Sequence, residues 1–287
     1  MSSSVEQAAL VALLRIGRRP RQLYAELVEQ NGSAVRVLED ELGRADPPET
    51  LFDLEFGVDA DSAHVDPSTI LDEAATDIAA WRGEAIELVS VLDPRYPENL
   101  RGLPDRPPLL FLAGELIPAD VQAVAVVGSR APSGEGIAAA CRIAGDLADA
   151  GYTVLSGLAA GIDSAAHTAT LAQGGRTVAV VGTGLRHCYP PQNIEMAQRI
   201  ALECALVSQF WPDSPPTRRA FPMRNALMSG MSLGTVIVEA SQTSGTRIQA
   251  RLALAQGRLV FVHRSLLSQP WARDLASRPG AYPIAAA

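Results

Sequence analysis

Lysine is missing from this 287-residue chain, and all 24 of its Lys and Arg positions are arginines. The absence excludes the phosphate loop of P-loop nucleotide-binding proteins, whose motif requires a lysine followed by Ser or Thr. An arginine guanidinium is planar, so it can bind a phosphate through two hydrogen bonds and can stack on a base. The positions of the arginines along the chain therefore bear on its function.

Cysteines and long apolar stretches are also scarce. The three cysteines, Cys141, Cys188 and Cys204, are irregularly spaced, which excludes a disulfide framework and favours a reducing compartment. No apolar stretch reaches the roughly 18 residues that a membrane span requires. The N-terminal segment is typical of an amphipathic helix rather than a signal peptide. We therefore expect a cytoplasmic protein with no membrane partner.

Charge is divided unevenly along the chain. The formal net charge of −8 by itself argues against a nucleic-acid partner. However, residues 1–115 hold 10 arginines and 22 acidic residues, whereas residues 116–287 hold 14 arginines and 10 acidic residues. The second part is therefore the one expected to bind an anion, and the acidic first part is expected to avoid DNA or to contact a protein partner.

Residues 1–66 are predicted to form a small all-α domain followed by a linker. Apolar residues recur at helical spacing over 5–42, which predicts three short helices. Residues 43–66 are acidic and contain prolines, as is typical of a linker. A further helix is predicted over 67–82, and an extended, proline-rich lead-in with two short strands over 84–120.

Apolar strands alternate with helical patterns from residue 121 onward, which indicates an α/β domain over 67–287. Strands are predicted over 122–128, 152–156, 176–182, 205–208, 235–239 and 258–263. Helices are predicted over 134–150, 162–173, 193–203, 222–232, 245–256 and 268–277. Because strands such as the one at 178–181 are apolar throughout, we expect burial on both faces and a doubly wound parallel sheet.

Four loops that follow predicted strands are rich in glycine and small hydroxyl residues. In a parallel sheet such loops converge on the carboxyl edge, where ligands bind near a switch point. Sharp turns alone require glycine, but four such loops at one edge predict a crevice that accepts an anion. Its candidate residues are Gly128, Ser129, Arg130, Ser156, Gly157, Gly161, Asp163, Gly182, Ser244, Gly245, Thr246 and Arg247.

Arginines flank these loops. Arg130 leaves the first turn, and Arg224 and Asn225 lie in the helical stretch FPMRNALMSGMS. Further arginines that we assign to the same track are Arg218, Arg219, Arg247, Arg251 and Arg258. One mononucleotide needs one or two cations, so this number predicts a polyanion. Aromatic residues make up only 5% of the chain, so binding is expected to depend on phosphates more than on base stacking.

Groups suited to catalysis are few, and we predict no catalytic residue, no metal and no cofactor. Asp163 and His167 are four residues apart, but Asp163 stands at a predicted helix start, where a carboxylate caps free amides. Glu239 ends a predicted strand and fits an acid/base role or a loop anchor equally well. The sequence contains no nucleophile elbow and no metal-ligand spacing.

Three motifs follow one another along the chain: GSRAPSGEG, SGLAAGIDSAAHTATLAQGGRTVAVVGTGLRHCYPPQN and FPMRNALMSGMSLGTVIVEASQTSGTRIQA. Together they resemble the DNA-processing protein A (DprA/Smf) family, and the resemblance covers residues 67–262. The N-terminal helices resemble the sterile-alpha-motif-like or helix-hairpin-helix-like domain that often precedes it. The resemblance implies a Rossmann-like domain that binds single-stranded DNA without catalytic turnover, loads RecA recombinase in natural transformation and often forms a homodimer. It also implies a DNA pocket shaped by Gly128, Ser129, Arg130, Gly157, Gly161, Asp163, Arg224 and Asn225.

The chain departs from the family pattern at several positions. Ala226 stands where the family usually has the second arginine of an Arg-Asn-Arg motif. His263 and Arg264 replace the Pro-Gly that normally follows the last core strand. A family lysine of the basic pocket has no counterpart, and Arg247 or Arg251 is the candidate substitute.

Two other functions of the same superfold remain open. A nucleotide-processing enzyme similar to the lonely-guy phosphoribohydrolases would carry a catalytic glutamate in a Gly-Gly-x-Gly-Thr-x-x-Glu loop. Here the loop reads SGTRIQ over 244–249, and Gln249 cannot act as an acid or base. A nucleotide-binding sensor would bind a small nucleotide tightly and would not bind DNA.

Overall fold

The structure is a computed structural model that describes residues 3–43, 67–241 and 244–285. Its contacts divide the chain into two compact units. The first comprises Met1–Pro94 and Pro107–Leu109, and the second comprises Arg95–Arg106 and Leu110–Ala287. The predicted linker lies almost entirely outside the described residues, so a domain boundary at residue 66 stays a prediction.

Within the described residues, the first unit is built mainly of helices. Its elements are α1 (Ser3–Ile16), α2 (Arg21–Asn31), α3 (Ala34–Leu42), α4 (Pro67–Gly83) and β1 (Glu87–Ser90). Helix α1 is buried from Ala8 to Leu14 and packs against α3 and α4. Glu6 caps α3, because its carboxylate accepts hydrogen bonds from the Ala34 amide (2.6 Å) and the Ser33 hydroxyl (2.8 Å). The helices predicted over 5–42 and 67–82 are thus confirmed.

The second unit alternates strands and helices. Its strands are β2 (Leu109–Gly114), β3 (Ala123–Val127), β4 (Thr153–Ser156), β5 (Thr177–Val180), β6 (Ala205–Ser208), β7 (Gly234–Ile237), β8 (Leu259–His263) and β9 (Ala281–Ile284). Its α-helices are α5 (Glu98–Arg101), α6 (Gly134–Asp149), α7 (Ile162–Ala172), α8 (Ile194–Glu203), α9 (Ala220–Met231), α10 (Thr246–Ala255) and α11 (Pro270–Ala276). In the described part of the chain, no helix combines the length and apolarity needed to cross a membrane.

The strands of the second unit lie in the order β2-β6-β5-β4-β3-β7-β8-β9. All neighbours from β6 to β9 are parallel, whereas β2 pairs antiparallel with β6. Strands β4, β5 and β6 are added in sequence on one side of β3. The chain then crosses back, and β7, β8 and β9 are added in sequence on the other side of β3. The order therefore reverses between β3 and β7, as in a doubly wound Rossmann-like sheet, and the predicted fold class is confirmed.

Helices cover both faces of this sheet. Helices α6 and α7 cover one face through an apolar cluster that includes Val126, Ile143 and Val236. Helix α10 covers the opposite face. Successive side chains of a strand point to opposite faces, so Thr235 points away from the face to which Val236 points, and Gln249 of α10 lies against Thr235. Every residue of β3 to β7 is buried, which explains why these strands are apolar without alternation.

An ion pair ties together the amino ends of three strands. Asp120, just before β3, accepts hydrogen bonds from Arg176 Nε (2.6 Å) and Nη2 (2.7 Å) next to β5. It also accepts a hydrogen bond from the Thr153 hydroxyl at the start of β4 (2.9 Å). The two charged side chains are only 11% and 19% exposed, so water screens the pair weakly.

We expect Asp120→Ala to lower the free energy of unfolding by about 2–3 kcal/mol, because Arg176 would keep a partly buried charge without its carboxylate. Urea denaturation followed by circular dichroism measures the loss. The matched control is Glu203→Ala, whose partner Arg199 is 51% exposed, and it should cost less than about 1 kcal/mol. Equal losses in the two variants would contradict this role for Asp120.

Candidate nucleic-acid interface

A buried arginine lies under the carboxyl edge of the sheet. Arg224 of α9 is 5% exposed, and its Nη1 donates hydrogen bonds to the carbonyls of Gly157 (2.5 Å) and Val180 (3.0 Å). Its Nε donates to Asn225 Oδ1 (2.9 Å). Among the described residues, no hydrogen bond uses Nη2, which leaves this group as the donor available to a ligand.

The loop after β4 is held by a buried carboxylate. Asp163, in the first turn of α7, accepts hydrogen bonds from the amides of Gly157 (3.1 Å) and Ala159 (3.4 Å). Burial raises the pKa of Asp163, whereas the nearby Arg224 guanidinium, these two amides and the Ser156 hydroxyl lower it. Asp163 therefore holds the loop before α7 and does not cap the free amides of the helix itself, so the predicted helix capping was wrong. The two loop amides are already hydrogen-bonded within the chain.

Two guanidinium groups at this edge are close enough to influence each other electrostatically. Burial lowers the pKa of Arg224, the Asp163 carboxylate raises it, and the neighbouring Arg130 guanidinium lowers it. Arg130 is exposed and leaves the loop after β3. Its guanidinium carbon lies 5.2 Å from the centre of the Phe221 ring, which is on α9 three residues before Arg224.

Two aromatic rings extend this surface. The Phe221 ring is half-buried, and its centre lies 5.7 Å from that of Tyr189, which is 43% exposed. This pair is not predicted from the sequence, because the low aromatic content of the whole chain hides local clustering of aromatic residues. The available signal was the position of Phe221 at the start of FPMRN, on the same helix as Arg224.

Close backbone packing at this edge requires glycine at two positions. A Cβ at Gly157 would lie 1.7 Å from Arg224 Nη1, so a side chain there would displace the guanidinium. Gly161 has φ +82°, and its Cβ would lie 2.3 Å from the Ser129 carbonyl oxygen. The glycines thus let the loops after β3 and β4 approach each other and Arg224.

Glu239 occupies the start of α6. Its carboxylate accepts hydrogen bonds from the Ser133 amide (3.0 Å) and the Ser133 hydroxyl (2.5 Å), and Ser133 in turn caps the Gly136 amide (3.0 Å). A Cβ at Gly136 would lie 2.3 Å from Glu239 Oε2. Glu239 is thus a loop anchor in this structure, and it fills the helix terminus that often binds an anion.

The loop before α10 reaches the same edge. The Thr246 hydroxyl lies 3.3 Å from the Gly128 carbonyl oxygen, and Ser244 hydrogen-bonds Thr246. The structure therefore brings the sequence-predicted residues of all four loops to one edge. Gly182 also lies there, since its Cβ would be 3.0 Å from the Phe221 ring. Ser156, Asp163, Arg224 and Thr246 are buried, and Arg130 and Gly245 are exposed. Contact of these residues with DNA stays a prediction.

Arg258 does not belong to this track, and its assignment there was wrong. It precedes β8, at the amino edge of the sheet, and donates hydrogen bonds to the carbonyls of Asn99 and Gly230. Arg218 and Arg219 are exposed in the loop before α9. An arginine in a turn can lie at the amino or the carboxyl end of a strand. The spacing of residues along the chain does not show at which of the two ends Arg258 lies.

His167 is buried behind the loop as a neutral ring. The Thr177 hydroxyl donates to the Val154 carbonyl (2.7 Å), so it accepts from His167 Nδ1 (2.7 Å) and fixes the proton there. Burial, with a smaller effect of Arg224, lowers the pKa of His167 to about 3. Asp163 and His167 thus use different partners, and this arrangement favours structural roles over an acid/base pair.

Comparison with known proteins identifies the family. The sequence profile of the DNA recombination-mediator protein A family matches residues 87–275. The chain belongs to this family. It is 34% identical over 196 residues to DNA processing protein DprA of Bacillus subtilis and 40% identical over 172 residues to that of Streptococcus pneumoniae. These alignments cover 68% and 60% of this chain, but 66% and 61% of the two relatives, so in sequence the chain aligns with less than two thirds of either.

Solved DprA structures share the fold. The X-ray structure of the Streptococcus pneumoniae protein matches 98% of this chain and 92% of its own with a TM-score of 0.70 at 28% identity. The Helicobacter pylori protein matches 69% of this chain and 90% of its own, with a TM-score of 0.62 at 26% identity. The latter structure was described for its single-stranded DNA binding mode. The family resemblance seen in the motifs is therefore confirmed.

We expect Gly161→Ala to lower the free energy of unfolding by at least about 1–3 kcal/mol. The added Cβ would clash with the Ser129 carbonyl oxygen, and the positive φ of this residue is unfavourable for alanine. Urea denaturation measures the loss. Gly134→Ala is the matched control, because a Cβ there meets no heavy atom within 4 Å, and it should be neutral or slightly stabilising. The idea fails if Gly161→Ala is as stable as this control.

The buried His167 predicts a pH-dependent stability. Its folded pKa lies below its ordinary value of 6.5, so only the unfolded chain takes up a proton as the pH falls from about 6.5 towards 3. The stabilisation is complete above pH 6.5 and should fall by up to about 1.4 kcal/mol per pH unit below it. Urea denaturation between pH 7 and pH 4.5 should show a shallower dependence for His167→Gln. An unchanged dependence in His167→Gln would contradict this origin of the pH effect.

Proposed function

We propose that this chain binds single-stranded DNA at the carboxyl edge of its sheet, without catalytic turnover. We further propose that it mediates recombination by loading RecA recombinase onto that DNA in natural transformation, as a cytoplasmic homodimer. Membership of the DNA recombination-mediator protein A family supports both statements. The described DNA binding of the Helicobacter pylori relative supports the first.

The observation that carries the proposal is the approach of Arg130 and Arg224 on one rim. Arg224 is held beneath the edge by two carbonyls, and the exposed Arg130 lies beside it over Phe221. Two neighbouring like charges repel each other, and the nearby carboxylate, Asp163, is buried and engaged with loop amides. A phosphate between the guanidiniums would relieve that repulsion and accept hydrogen bonds from both.

The aromatic pair beside these arginines suits a nucleic acid rather than a free phosphate. Tyr189 offers an exposed ring next to the phosphate donors, and the half-buried Phe221 ring lies beside it under the Arg130 guanidinium. Aromatic rings and guanidinium planes can stack on a base without regard to its identity. We therefore expect base stacking to contribute more to DNA affinity than the low aromatic content of the chain predicts. A flexible single strand can place a phosphate and an unpaired base on adjacent groups, whereas a duplex keeps its bases stacked inside.

The geometry disfavours a nucleotide sensor. In dinucleotide-binding Rossmann domains the pyrophosphate lies at the N-terminus of the helix after the first strand. Here Glu239 already caps the corresponding end of α6 through Ser133. A nucleotide phosphate would have to displace this carboxylate, and its own charge would repel it.

The loop before α10 disfavours a phosphoribohydrolase. Gln249, which stands where those enzymes carry the catalytic glutamate, is 1% exposed and lies against Thr235 of β7. An amide buried within the core cannot exchange a proton with a substrate at the sheet edge. The position therefore favours a binding protein over an enzyme.

We expect Arg130→Ala to weaken the binding of fluorescent oligo-dT by about tenfold and to lower its salt dependence by about 0.7 in the slope of log K against log salt, since one phosphate contact is lost. Phe221→Leu keeps an apolar side chain under Gly182 but removes the ring. It should weaken binding by about tenfold with an unchanged salt slope, because stacking releases no counterions. Fluorescence anisotropy across a salt titration measures both quantities.

The control for these variants is Arg199→Ala, which removes an exposed arginine that pairs with Glu203 on α8. It should bind oligo-dT as the unmodified chain does. Arg130→Ala with unaltered affinity and slope would reject the proposed site. Tight binding of a mononucleotide, with no binding of oligo-dT, would reject DNA as the ligand.

A further inference from the structure

A second arginine-rich surface lies in a cleft between α10 and α11. The cleft has a volume of about 450 Å³. We call it the arginine cleft and define it by the residues that line it and carry the argument: Ser244, Arg247, Arg251, Trp271, Asp274 and Arg278. Ser244, Arg247 and Arg251, which the sequence assigns to the polyanion track, line this cleft and not the rim formed by Arg130 and Arg224.

The arginine cleft is positively charged. Three arginines line it against a single carboxylate, Asp274, which pairs with Arg278 at 2.8 Å in an exposed ion pair. Arg251 is exposed and, among the residues the structure describes, forms no hydrogen bond or ion pair. Arg247 and Arg251 are four residues apart on α10 and share a helix face, so they present like charges to the same space.

An aromatic ring forms part of the same wall. The Arg247 guanidinium lies 5.4 Å from the centre of the Trp271 ring. Trp271 Nε1 donates a hydrogen bond to Gln269 (2.6 Å), which fixes the orientation of the half-buried indole. Arginines with a fixed aromatic plane suit a ligand that has both phosphates and flat bases. An acidic peptide would use the charges but would have no need of the ring.

The arginine cleft adjoins the proposed DNA site. Ser244 lines the cleft and also hydrogen-bonds Thr246, whose hydroxyl lies next to the Gly128 carbonyl at the end of β3. Arg130 follows two residues after Gly128 in the chain. Ser244 and Thr246 therefore link the wall of the cleft to the end of β3, beside the loop that carries Arg130.

We propose that the arginine cleft is a second subsite for single-stranded DNA, which binds phosphates through Arg251 and Arg278 and a base against Trp271. The proposal rests on the function proposed above and extends it. A short strand fills the rim alone, whereas a longer strand also reaches the cleft. The two subsites thus make affinity depend on strand length.

The test compares oligo-dT of about 6 and about 20 nucleotides, lengths chosen around the range of single-strand sites in other proteins. The variant is Arg251→Gln/Arg278→Gln, which removes two exposed charges and keeps polar side chains. It should bind the short strand as the unmodified chain does. It should bind the long strand about tenfold more weakly, with a salt slope lower by about 1.4 for two lost phosphate contacts. Trp271→Leu should weaken the long strand without altering the salt slope.

The matched control is Arg142→Gln/Arg199→Gln, which removes the same charge from exposed positions on α6 and α8. It should leave both strands unaffected, and thermal denaturation checks that every variant is folded. If Arg251→Gln/Arg278→Gln binds both lengths normally while Arg130→Ala weakens both, the cleft is not a DNA subsite and the proposed function stands. If Arg130→Ala has no effect on either strand, the proposed function fails and this inference with it.

Two further outcomes would also overturn the subsite. In the first, light scattering shows that Arg251→Gln/Arg278→Gln changes the oligomeric state while DNA binding is unaltered, which would make the cleft a contact between copies of the chain. In the second outcome, the unmodified chain binds a polyglutamate peptide. The variant loses the binding of this peptide but still binds DNA as the unmodified chain does. That result would assign the cleft to an acidic protein segment.

Discussion

A single buried guanidinium organises the carboxyl edge of the sheet. Arg224 donates to the carbonyls of Gly157 and Val180, and it faces the buried carboxylate of Asp163. An arginine buried to this extent is destabilising by several kcal/mol unless its charge and its hydrogen bonds are satisfied. The absence of a side chain at Gly157 and the hydrogen bonds that Asp163 accepts from the loop are therefore parts of one arrangement, which also fixes where α9 carries Phe221.

In this arrangement several backbone amides are hydrogen-bonded within the chain, and the side chains of arginines are left to bind a ligand. At the loops after β3 and β4, carboxylates of the chain itself take several of the amides that a Rossmann-like fold usually offers to phosphates. The positive charge that remains available to a ligand belongs to arginines, which reach further than amides and can also stack on rings. A site of this kind suits an extended, flexible anion better than one enclosed phosphate group.

Periodicity and turn residues were sufficient to predict the fold. Unbroken apolar strands alternating with helices indicated a sheet buried on both faces, and the glycine loops indicated the edge where the candidate site lies. The finer contacts depend on residues far apart in the chain, so no local pattern reports them. Glu239 meets Ser133 only because β7 pairs with β3, and Tyr189 meets Phe221 only because α9 crosses the end of β5. Arg258 was misassigned for the same reason, since a turn at either end of a strand has the same composition.

The carboxylate at the start of α6 has a consequence for folding. In many nucleotide-binding domains this helix terminus is satisfied only when a cofactor is present, so the ligand concentration sets part of the stability. Glu239 supplies the negative charge from within the same polypeptide. The start of α6 therefore keeps these hydrogen bonds without a bound anion, and its contribution to the stability of the α/β unit does not depend on the concentration of a ligand.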